Sequence, residues 1–101
     1  MIELAVEIAP KMERFEYWIM EVRCVSDIRK GDRLLKAVPY VVNPSDGSST
    51  LKNELAFSID LVVDRILSWE KEWDLAYAGM AAKILVKGDA SRIVAKTFCF
   101  G

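Results

Sequence analysis

Trp69 and Trp73 lie four residues apart with Glu70 between them, and Trp18 stands far upstream in a run rich in aromatic and β-branched residues. Four residues is about one helical turn, so a helix here would carry both indoles on one face. Facing Trp18 across a sheet, they would line a cleft for a flat or cationic small molecule, with Glu70 as the polar anchor. The competing reading of the same aromatics is core filling, where a long helix crosses a short sheet.

Other chemistries find less support. The chain has no histidine, which removes the commonest general base and the commonest metal ligand. Ser49-Thr50-Leu51-Lys52 matches the Ser-x-x-Lys pattern of an activated serine, but the companion motifs are absent. Ser49 or Thr50 is better read as a helix N-cap. The preceding Asn43–Ser49 loop offers an anion the amides of a helix start, without the spacing of a phosphate-binding loop. Glu70, Glu72 and Asp74 form with Lys71 an alternating pattern that reads as a solvated face. Cys24 and Cys99 belong to no Cys-x-x-Cys pair and read as buried thiols in a reducing compartment. No catalytic residue, metal site or cofactor is expected, and the balance leans away from an enzyme.

The elements that would position these residues follow from hydrophobic periodicity. Ile2, Leu4, Val6 and Ile8 alternate with Glu3, Ala5 and Glu7, the period of a half-buried strand ending at Pro10. Arg14–Val25 predicts a second strand. A turn over Asp27–Asp32, with Gly31 taking positive φ, leads to a third over Leu34–Val42, which Pro39 marks as an edge. From Thr50 onward, Leu51, Leu55, Ile59, Val62, Ile66, Trp69, Trp73 and Tyr77 fall within a helical stripe roughly 80° wide. Beyond Trp73 two readings stand: a hairpin around Gly88 and Asp89, or continued helix through Met80 and Ile84. The expected fold is α+β, an antiparallel sheet of about five strands with one long amphipathic helix on a face (β-β-β-α-β-β). The alternative is three strands, two helices and a last strand.

The 101 residues suit a single domain over 1–101, and a 52% hydrophobic composition can fill one core. Basic and acidic residues number 14 and 15 and are mixed in both halves, which leaves no footprint for nucleic acid. No uncharged run approaches the length of a membrane span and no export signal is visible, so a cytoplasmic protein is expected. On the predicted helix, Phe57 and Leu61 lie away from the main stripe among Asp64, Ser68 and Glu72. With Phe15 and Tyr17 on an uncovered sheet face, they suggest an interface. The function expected is a non-catalytic interaction or oligomerisation module, a homodimer or an accessory protein binding another protein. The alternative is a small-molecule-binding domain built on the tryptophan cleft.

Overall fold

The computed structural model describes residues 2–101 and corrects the α+β expectation, because no long helix is present and the architecture is a closed antiparallel β-barrel. Ten strands follow in chain order: β1 (Glu3–Arg14), β2 (Tyr17–Cys24), β3 (Ile28–Arg29), β4 (Arg33–Val42), β5 (Ser49–Leu51), β6 (Phe57–Ser68), β7 (Lys71–Trp73), β8 (Leu75–Ala76), β9 (Ala81–Lys87) and β10 (Thr97–Phe100). The helical content of the described residues is one 3-10 turn, Asn53–Leu55. Six strands close the barrel in the order β4-β10-β1-β2-β9-β6, with β6 pairing back onto β4. Strand β5 extends from β4 and β7 from β6, while β3 and β8 form a separate two-stranded ribbon.

The segment read as a helix is mostly β6. Phe57, Ile59, Leu61 and Val63 alternate with Ser58, Asp60 and Val62, so the run fits a period of two as well as 3.6. A β-bulge between Val63 and Arg65 then shifts the phase, which brings Ile66 back to the inside. The same residues therefore satisfy two templates, and pairing with β4 on one side and β9 on the other selects the strand. Ser49 and Thr50 begin β5 and cap no helix. The two-helix alternative fails with the first helix, since Ala81–Lys87 is strand β9.

Strands β1, β2 and β4 correspond to the three strands expected from sequence, with shifts, whereas the short β3 falls inside the expected Asp27–Asp32 turn. β1 runs on through Pro10 to Arg14, and a bulge after Val6 turns Ile8 outward while Leu4 and Val6 stay buried. Pro39 lies inside β4 and not on an edge. It falls where the flanking partner of β4 changes from β6, ending at Ala37, to β5, beginning at Tyr40, so its missing N–H interrupts neither ladder. Gly31 has φ of 95°, as the turn required.

The anticipated strand before Gly88 exists as β9, but it pairs with β2 and β6 and makes no hairpin with β10. The connection crosses the barrel end and inserts β10 between β1 and β4. Gly88 is at φ 132°, and a Cβ there would lie 2.5 Å from the Asp60 carbonyl oxygen. Glycine is thus required both by conformation and by close approach of another strand. The barrel interior is aliphatic, with Leu4, Val6, Met20, Leu34, Leu61, Val63, Ile66 and Ile84 all essentially inaccessible. Both cysteines are buried and unpaired.

Candidate functional site

Strands β6 and β7 are joined by only two residues, Trp69 and Glu70, with φ of 54° and 59°. Positive φ at both positions is the demand of the tightest hairpin turns, normally met by Asn-Gly. Left-handed backbone costs an ordinary residue roughly 1–2 kcal/mol. A bulky tryptophan and a glutamate held there mean that the surrounding structure imposes the turn.

The bracing is visible. The Trp73 indole Nε1 donates to the Ser68 carbonyl at 2.8 Å, and the Ser68 hydroxyl donates to the Ala81 carbonyl of β9 at 2.9 Å. Arg65 Nε donates to Glu72 across the same ribbon at 2.7 Å. Trp73 is half-buried and packs against the core, so it anchors the hairpin while Trp69 stands 84% exposed at its tip.

Beside the tip lies an open groove of about 400 Å³ on the outer face of the barrel. Ile8, Leu67 and Trp69 supply apolar wall, and Glu7, Glu21, Glu70 and Lys83 supply charge. A second depression of about 440 Å³ shares Ile8, Glu21 and Lys83 with it and adds Met12 and Ile19. The two make one trough across β1, β2 and β9, reaching the end of β6. Glu21 and Lys83 are direct cross-strand neighbours, while Glu7 is paired with Arg23 at 3.1 Å. Ile8 and Met12 are about half exposed along this trough, and Ile8 lines the same groove as the exposed indole.

The site residues expected from sequence are dispersed. Trp69 and Glu70 share the trough, but Trp18 and Trp73 are absent from its lining. Trp18 sits on β2 and Trp73 on β7 with β9 and β6 between them, each packed against the core. The helix that would have formed one wall of the cleft does not exist. Leu61 is fully buried inside the barrel, and Phe57 is half-buried beneath the Arg92 guanidinium, 4.4 Å from its ring centre. Phe15 is 81% exposed at the two-residue β1–β2 turn, and Tyr17 beside it carries the Arg14 guanidinium 4.1 Å from its ring centre. Ile8, Met12 and the register of Glu21 with Lys83 were missed, because the bulges of β1 that aim the apolar pair outward leave no mark on a plain alternating pattern.

A separate apolar surface covers the outside of β4 and β10. Tyr40 and Phe98 have ring centres 4.5 Å apart, and Phe98 and Phe100 6.2 Å apart. Leu35, Val38, Leu51 and Phe100 line a depression of about 350 Å³ beside them, with Lys36 the one charged side chain in its wall.

The thiols offer no nucleophile. Desolvation pushes Cys99 up to about 12, and desolvation with a smaller contribution from the Asp27 carboxylate pushes Cys24 up to about 11. No helix among the described residues is long and apolar enough to cross a membrane.

The fold and its outer trough define a small closed antiparallel β-barrel carrying an exposed aromatic hairpin tip. No protein-family model matches the chain, and no curated protein does. Among solved structures it is similar to translation elongation factor SelB from Methanococcus maripaludis in its apo form, with a TM-score of 0.68 and 13% identity. The match covers 97% of this chain and 18% of that one, so the likeness is to a small part of a much longer protein and concerns the fold alone.

Proposed function

We propose that this barrel is a non-catalytic protein-docking module whose binding surface is the trough beside Trp69. The observation that carries the reading is Trp69 itself, a large indole 84% exposed on a turn whose conformation disfavours it. Evolution toward stability alone would favour asparagine or glycine at such a position. Tryptophan is among the residues enriched at the energetic centres of protein interfaces. The absence of histidine and the high pKa of both buried thiols support a role in binding over one in catalysis. Similarity to a segment of a longer translation factor fits a barrel used as a module.

The test combines native mass spectrometry over a concentration series with selection from a random-peptide phage library, using Trp69→Ala for counter-selection. The expected result is either self-association lost in the variant or peptides retained by the natural protein alone. If the two proteins show the same mass and retain the same sequences, the trough is not a docking surface.

A further inference from the structure

We infer that the trough takes a segment of a partner protein presenting an arginine flanked by apolar side chains, with the guanidinium on the Trp69 ring and the apolar neighbours on Ile8 and Met12. This inference rests on the docking reading above and names the chemistry of the partner.

Charge sets the class. Around Trp69 the groove carries three carboxylates, Glu7, Glu21 and Glu70, against one ammonium, Lys83. Arg23, paired with Glu7 at 3.1 Å, balances that carboxylate and leaves Glu21 and Glu70 against Lys83. An acidic surface repels phosphate, which argues against nucleic acid, and attracts a cationic side chain during encounter.

The ring sets the residue. Tyr17 and Phe57 each already carry an arginine guanidinium of this chain, at 4.1 Å and 4.4 Å from the ring centre. Among the described residues no cation stacks on Trp69, although tryptophan is the strongest ring for that interaction. Glu70, adjacent in the turn, can accept the hydrogen bonds of a guanidinium lying on the indole, and Glu21 adds negative charge on the groove wall. The apolar flanks follow from the rest of the trough, where Ile8, Met12 and Ile19 continue away from the tip.

The test reads the sequences of Trp69-dependent phage and the fluorescence anisotropy of labelled peptides bearing a central Leu-Arg-Leu, Leu-Lys-Leu or Leu-Glu-Leu. Enrichment of arginine beside apolar residues is expected, with the Leu-Arg-Leu peptide bound best. Trp69→Ala should weaken that peptide about threefold to thirtyfold, the range of a partly desolvated cation–π contact. Glu21→Lys with Glu70→Lys should reverse the preference toward the Leu-Glu-Leu peptide, and added salt should weaken the original binding. Circular dichroism checks that the variants are folded, and the salt series on the natural protein tests the charge argument without any substitution. Trp69-dependent sequences that are acidic or uncharged would overturn the inference while leaving the docking surface standing. Absence of any Trp69-dependent sequence or self-association would remove the docking surface and the inference with it.

Discussion

Replacing Glu70 by glycine should make the protein more stable. Glu70 is exposed at φ 59° in the two-residue β6–β7 turn, so its side chain contributes little burial while its backbone occupies the left-handed region. Relief of that conformation is worth roughly 1–2 kcal/mol. Glycine returns about 0.5–1 kcal/mol of this through the larger conformational freedom of the unfolded chain. The net gain is about 0–1.5 kcal/mol, with a central value near 0.75 kcal/mol. For a domain of this size each kcal/mol moves the melting temperature by roughly 4–8 °C, so the central value corresponds to a rise of about 3–6 °C. Differential scanning calorimetry on Glu70→Gly measures it, and urea denaturation with an unchanged m-value checks that the gain belongs to the folded turn. An unchanged or lower melting temperature would refute the argument that the surrounding hairpin forces this turn against its residues. The variant should also lose affinity for the arginine-bearing peptide, a trade of binding for stability.

Other outcomes follow from the packing. Leu61→Ala removes a fully buried side chain from the barrel interior and should cost about 2–5 kcal/mol in chemical denaturation. For the same reason Leu61→Asp should unfold the protein and cannot serve as a test of an interface. Gly88→Ala places a Cβ against the Asp60 carbonyl at a φ that L-residues rarely adopt, and a loss of about 2–5 kcal/mol is expected by the same assay. Cys24 and Cys99 are raised from 9.0 to about 11 and about 12 by burial, so the folded state favours the protonated thiols. Their stabilising contribution is complete below pH 9 and is lost as pH climbs toward those values, so denaturation midpoints should fall above pH 9. In native protein near neutrality both thiols should resist a thiol-reactive dye and react only on unfolding, followed by absorbance.

Local residue patterns were enough for the strand character of β1, β2 and β4, the turn at Gly31, the two buried unpaired thiols and the lack of histidine. Each rests on local chemistry: alternation and β-branching for strands, positive φ for glycine, and residue type for the rest. Tertiary structure decided what β6 became. Ile59 and Ile66 serve a helical stripe and, through the bulge at Val63–Arg65, an alternating strand equally well, and only pairing with β4 and β9 separates the two. It also decided the trough. Trp69-Glu70 carries none of the glycine or asparagine that announces a tight turn; the Trp73 brace within the hairpin and the Ser68 bond to Ala81 of β9 impose a conformation the two residues would not choose locally. Ile8 faces outward because of a bulge in β1, and the Glu21–Lys83 juxtaposition comes from register between strands far apart in sequence. Contacts of that kind depend on closing the barrel, and periodicity within one segment carries no information about which strand will lie beside it.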